Sequence, residues 1–189
     1  MDEMRVGTLD VECCYTWKIM NFSTLTSEPF DFIISPNFTG GVEDKRIPSF
    51  FIELYPNGNT ESEKGWLSLY LYASEDNDME FRMSFCFSLL NHNDVEVSST
   101  RKIAKRTVFN KQANSCGFDA FISHNTLMAP ESELLSGRTL KVRCKLWGLV
   151  LIIKEETSKV SHSDFSKLCL QGLWQQYLDQ QVVDVAVVI

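Results

Sequence analysis

Apolar and polar positions alternate twice between residues 66 and 91, WLSLYLYASEDNDMEFRMSFCFSLLN. Leu67, Leu69 and Leu71 fall on one face of a first strand, with Trp66, Ser68, Tyr70 and Tyr72 on the other. Phe81, Met83, Phe85 and Phe87 alternate with Arg82, Ser84, Cys86 and Ser88 in a second. A period of two is the signature of strands with one buried face. The turn-prone run SEDND between them predicts a connection between neighbouring strands. Short runs of this kind, separated by Pro, Gly, Asn and Asp, continue from Val11 to about Ile153. They predict an all-β sandwich or barrel with strands over 13–21, 30–35, 49–55, 66–73, 79–91, 95–100 and 138–153. The clearest lies in 138–146, where Leu140, Val142, Cys144 and Leu146 alternate with Thr139, Lys141, Arg143 and Lys145, giving a half-solvated strand with a basic outer face. Pro56 to Gly58 and the polar TESEKG after it predict a long connection rather than a two-residue hairpin. The mixed spacing of Phe118, Phe121, Ile122 and Leu127 predicts a short helical turn crossing the end of the sandwich.

Beyond Ile153 the pattern changes. KEETSKVSHSD reads as a linker over 154–164. Phe165, Leu168, Cys169, Leu173, Trp174 and Tyr177 then recur at intervals of three and four, predicting an amphipathic helix with Ser163 as N-cap. VVDVAVVI follows as a buried-strand pattern. One helix and one strand cannot close a core, so residues 165–189 read as the opening of a second, incomplete domain.

The length of 189 residues, with 44% hydrophobic and 23% charged content, bounds the chain to one domain plus a remnant. A net charge of −7 argues against a phosphate-binding surface and so against nucleic-acid partners. The six cysteines at 13, 14, 86, 116, 144 and 169 hold no CxxC pair and hence no zinc pattern. The start, MDEMRVGTLDVE, is charged and has no apolar signal region, which predicts reduced thiols and a nuclear or cytoplasmic location, and no membrane partner is expected. The sequons at Asn21 and Asn37 are then chance matches. His92, His124 and His162 sit among polar neighbours and read as solvated rather than as halves of a Cys/His nucleophile pair. GxSxG, HExxH and P-loop strings are absent, and the acidic clusters lack calcium-loop spacing, so neither catalysis nor a cofactor or metal is expected. Trp17 and Trp147, each in an apolar strand run, are expected to pack in the core or at a sheet edge.

YTWKIMNFS at 15–23, SPNF at 35–38, LYPNG at 54–58, WLSLYL at 66–71, FCFSLLN at 85–91 and CGFDAFI at 116–122 together resemble the MATH (TRAF-like) domain over 11–153. Within that superfamily the strings look most like speckle-type POZ proteins, and LQGLWQQYLDQQVVDVAVVI resembles the first helix and strand of the POZ (BTB) domain that follows MATH in them. The resemblance implies an eight-stranded antiparallel β-sandwich whose shallow groove binds extended Ser/Thr-rich peptides of degradation substrates. In such proteins the POZ domain dimerises and recruits a cullin to a ubiquitin ligase, directing proteasomal degradation. It implies groove positions at Tyr70, Phe85 and Phe118. Alternation separately leaves Tyr70 on the polar face of its strand, but it places Phe85 with Phe81, Met83 and Phe87 in the core, so core and groove roles for Phe85 stand side by side. The chain departs from the family motif at Cys116, which stands where a groove Trp is expected, and at Asp119, which replaces a Lys. A groove Tyr is replaced by Thr107 or Val108, and the segment from Thr107 to Ser115 is one residue longer. Cys116 and Asp119 therefore join the candidate contacts as the positions most altered.

The resemblance leaves three other readings: a truncated MATH module that binds targets without delivering them, an enzyme, and a trimeric receptor adaptor. MATH domains do occur beside proteases and deubiquitinases, but those activities reside in separate catalytic domains. The adaptor would need a coiled coil, and only about ten residues precede the first predicted strand.

Overall fold

The computed structural model describes residues 5–25, 28–39, 49–74, 81–154 and 185–188. Ten strands and one short helix lie among them: β1 (Arg5–Ile19), β2 (Ile33–Ile34), β3 (Phe50–Tyr55), β4 (Trp66–Ala73), β5 (Phe81–Leu89), β6 (Lys102–Phe109), β7 (Ser115–Ser123), α1 (His124–Met128), β8 (Leu135–Ser136), β9 (Thr139–Lys154) and β10 (Val185–Val188). One sheet runs β1-β9-β5-β6 and the other β2-β3-β4-β7. These eight strands are the expected antiparallel sandwich. The two-residue β8 adds to β9 as an antiparallel arm, and β10 pairs with it in parallel, Val185 opposite Leu149 through Val188 opposite Ile152. The strand read as the start of a further domain thus extends a sandwich sheet. The linker over 154–164 and the helix over 165–177 lie outside the described residues, apart from Lys154 at the end of β9.

Alternation sets which face is buried. Phe50, Ile52 and Leu54 of β3 and Leu67, Leu69 and Leu71 of β4 face Met83, Phe85, Phe87 and Leu89 of β5 and Leu140, Val142, Cys144 and Leu146 of β9, all essentially inaccessible to solvent. Burying a side chain of this size stabilises the fold by about 1.5–3 kcal/mol, so this layer dominates folding. Trp17 is half-buried and packs against the core, and Trp147 is half-buried on the outer face of β9. The outer basic row of β9 is less solvated than its pattern suggests. Lys141 is buried, its ammonium 2.7 Å from Asp94, and Lys145 lies 2.7 Å from Glu96. Glu96 also takes Arg101 at 3.1 Å, so the segment between β5 and β6 neutralises that face. The Lys145 hydrogen bond and the Coulomb field of its cationic neighbours hold the Glu96 carboxyl below its ordinary range.

Three expectations change. The strands flanking SEDND, β4 and β5, belong to different sheets and do not pair. Alternation reports faces, not partners. The strand expected over 95–100 is reduced to a bridge between Leu90 and Glu96 followed by a 3-10 turn at Ser98–Thr100. Finally, β6 and β7 were not among the expected strands. β6 carries Lys102, Lys105 and Arg106 in an edge position, so its pattern is charged, and a register shift opposite Met83 to Phe85 breaks its period.

Candidate functional site

β7 is the outermost strand of its sheet, paired only with β4 among the described residues. An edge strand leaves a row of backbone N–H and C=O groups for another chain to pair with. Here that edge runs beside β6, itself the border of the opposite sheet. The two borders form a seam along one side of the sandwich, and four of the five candidate residues, Tyr70, Phe118, Cys116 and Asp119, converge on it.

The β4–β7 ladder is irregular. Leu69 pairs with Phe118 but Leu67 with Ile122, so four steps of β7 oppose two of β4. Ser68 fills the gap: fully buried, it donates its hydroxyl to the Asp119 carbonyl. The bulge turns both Phe118 and Phe121 toward the interior, where their ring centres lie 6.4 Å apart. A spacing of three inside a strand is why the segment reads as helical in sequence. The helical turn itself begins later, at His124, capped by the Ser123 side chain, which accepts from the Thr126 N–H.

Tyr70 lies on the outer face, half-buried, opposite Gly117. A methyl group on Gly117 would sit 2.6 Å from both Cα and Cδ1 of Tyr70 and closer still to the Leu69 carbonyl. Gly117 is thus the seat on which the Tyr70 ring rests. The Tyr70 hydroxyl accepts from Asn59 Nδ2 at 2.5 Å and donates to the Asp119 carboxylate. Tyr55 meets the ring edge to face at 5.8 Å. Burial first, and then the Asp119 hydrogen bond, push the Tyr70 hydroxyl well above the ordinary phenol range, so it stays a neutral donor. Asp119 and Tyr70 therefore form one polar rim, with Asp119 exposed.

The inner wall of the seam is aromatic. Phe118 is half-buried, with its ring 6.2 Å from Phe85 and 6.4 Å from Phe87. Cys116 is also half-buried, and Thr107 Oγ1 donates to its sulfur at 3.8 Å. Thr107 rather than Val108 faces the seam. Tyr70, Phe118, Cys116 and Asp119 are brought together along β7. Phe85 is a correction. Although β6 does bulge beside it, Phe85 has 0% exposure and supports the Phe118 ring from beneath, so it is a core residue, not a contact. Alternation along β5 already carried that answer. Pattern reading missed Lys102: its ammonium lies 5.9 Å from the Phe118 ring centre and 5.8 Å from that of Phe121, and donates to the Ala120 carbonyl. Burial lowers its pKa below the usual lysine range. Its only sequence signal is the run of cations around it.

His124 is another correction. It is half-buried, with Nε2 2.5 Å from the Pro56 carbonyl, whereas His92 is exposed and 3.6 Å from Glu133. His162 lies outside the described residues. The five described cysteines are free thiols, with Cys86 and Cys144 buried. Among the described residues, no three His, Cys, Asp or Glu side chains converge in the manner of a metal site.

An open sheet edge bordered by aromatic side chains is a geometry on which an extended peptide can add as a further strand. The chain is a member of the MATH domain family, whose profile matches residues 14–146. MATH domains are protein–protein interaction modules, typically without enzymatic activity, so this chain has protein partners. Among solved structures it is similar to TRAF5 of Notothenia coriiceps, with a TM-score of 0.52 and 19% identity over 79% of this chain and 76% of that one. At that identity the likeness concerns the fold.

Proposed function

We propose that this MATH domain is the substrate-recognition part of a cullin-RING ubiquitin ligase adaptor of the speckle-type POZ class, active in the nucleus or cytoplasm. It receives an extended Ser/Thr-rich segment of a target protein as an added strand on β7. The observation that carries the reading is the open β7 edge, bordered by Phe118 and Cys116 on its inner side and by the Tyr70–Asp119 pair on its outer side. Backbone groups on such an edge supply affinity and direction, and the flanking pockets supply choice of side chain. Residues 165–189, which resemble the opening of a POZ domain, support the ligase assignment. Cullin recruitment and self-dimerisation would belong to a completed POZ domain.

A second reading is favoured by β10. Its pairing with β9 commits residues 185–188 to the sandwich, as expected of a binding module that neither dimerises nor recruits a cullin. The test of the shared core is fluorescence polarisation of a labelled Ser/Thr-rich peptide against the wild type and Tyr70→Ala. Saturable micromolar binding weakened in the variant is the expected result. Equal binding by both proteins removes Tyr70 from the groove. Addition of a cullin N-terminal domain to a form of the protein that carries a completed POZ domain then separates the two readings, since a complex there favours the adaptor and its absence the binding module.

A further inference from the structure

The protein is acidic overall, yet the border strand facing the β7 edge is not. Between Glu96 and Asp119 the chain has no acidic residue and carries Arg101, Lys102, Lys105, Arg106 and Lys111. Arg101 is paired with Glu96. Lys102 is placed differently: no carboxylate contacts its ammonium among the described residues. It lies over two aromatic rings and donates its hydrogen bond to the Ala120 carbonyl, a backbone group of the strand on which a peptide would be added. Immediately beyond it, at the end of β7, is a cavity of about 510 Å³. Lys102, Phe121, Leu134 and the hydroxyl-bearing Ser99 and Thr126 line it, with the exposed Glu131 also on its wall. Lys102 is the only cation among the lining residues.

We infer that the segment bound on β7 carries an anionic side chain opposite Lys102, so that this groove selects acidic or phosphorylated extended peptides over neutral Ser/Thr-rich ones. The inference rests on the reading of β7 as a peptide-binding edge and specifies its ligand. A cation held half-buried against aromatic rings with only a carbonyl for company has lost hydration that a carboxylate or phosphate would replace with a charge-assisted hydrogen bond. Asp119, on the other rim, already shares its carboxylate with Tyr70, so the two rims present opposite charge and set the polarity of the bound peptide.

The experiment compares fluorescence polarisation of four kinds of labelled peptide on the intact chain: a neutral Ser/Thr-rich segment and series carrying Asp, phosphoserine or Lys at successive positions. Lys102→Met keeps the stem over the rings and removes the charge, and Lys102→Glu reverses it. A preference of about tenfold for Asp or phosphoserine at one position is expected, lost in Lys102→Met and turned toward Lys in Lys102→Glu. Asp and phosphoserine arms distinguish an acidic ligand from a modification-dependent one. Unchanged unfolding temperature in Lys102→Met assigns the loss to recognition. Equal affinity for all four kinds of peptide overturns the inference and leaves the edge reading intact, whereas no binding by any peptide overturns both. Comparable affinity for a single-stranded oligonucleotide, competing with the peptides, also overturns it, because the basic strip then acts as a general polyanion surface.

Discussion

Gly117→Ala removes nothing and adds one methyl group, so its effect isolates the close approach that seats Tyr70. The added carbon would lie 2.6 Å from Tyr70 Cα and Cδ1 and closer to the Leu69 carbonyl, each well inside van der Waals contact. Two of those neighbours are backbone of the paired strand, which cannot swing aside as a side-chain tip would. β4 and β7 must therefore separate at the Tyr70–Gly117 pair. Overpacking of this kind costs about 1–3 kcal/mol. Displacing the Tyr70 hydroxyl from Asn59 and Asp119 adds about 1 kcal/mol for each hydrogen bond lost. A total near 4 kcal/mol lowers the unfolding midpoint of a domain this size by roughly 10 °C. Gly65 is the control. A methyl group added there meets no atom within 4 Å, and its φ of +88° leaves Gly65→Ala with only the left-handed backbone penalty of about 1–2 kcal/mol. Thermal unfolding followed by circular dichroism ranks the two. A Gly117→Ala midpoint within about 2 °C of wild type would refute the seating of Tyr70 on β7.

Other substitutions separate core from rim. Phe85→Ala empties a fully buried site touching Phe87, Phe109 and Phe118 and is expected to cost about 3–5 kcal/mol in a denaturant titration, clearly more than Tyr70→Ala at the half-buried rim. Cys116→Trp places an aromatic ring in the seam and should tighten a Ser/Thr-rich peptide by about tenfold or more in a polarisation titration if the seam is where the peptide lies. Glu96 has a carboxyl held below its unfolded value by Lys145 and Arg101, so its contribution is complete above about pH 4.3 and disappears as pH falls through the lower folded value. Glu96→Gln should lose about 1 kcal/mol at neutral pH and show a flatter decline in midpoint between about pH 5 and 3.

How legible this was depended on the kind of physics each residue obeys. The faces of β4, β5 and β9 could be read because burial on one side imposes a period of two, and the core composition followed from it. Which strands pair could not be read, since β4 and β5 share a polar connection yet belong to different sheets. At the site, Tyr70 was visible as an apolar ring on a polar face. Phe85 was misplaced only where family resemblance was set against its own alternation. Lys102, Asn59 and Gly117 act through the bulge and the seam between sheets, and both are properties of register that no local pattern encodes. Phe118 and Phe121 were seen, but the bulge between them imitated a helical spacing.

The central claim is that β7 is the edge on which partner segments bind. Its most direct test is backbone amide chemical-shift mapping by NMR while an extended Ser/Thr-rich or acidic peptide is added to the isotopically labelled chain. The account predicts that the amides of residues 115–120 on β7 and 102–107 on β6 shift and gain protection from hydrogen exchange, while those of the β1–β9 ladder stay still. Shifts confined to the outer face of β1 and β9, with β7 unmoved, would contradict it.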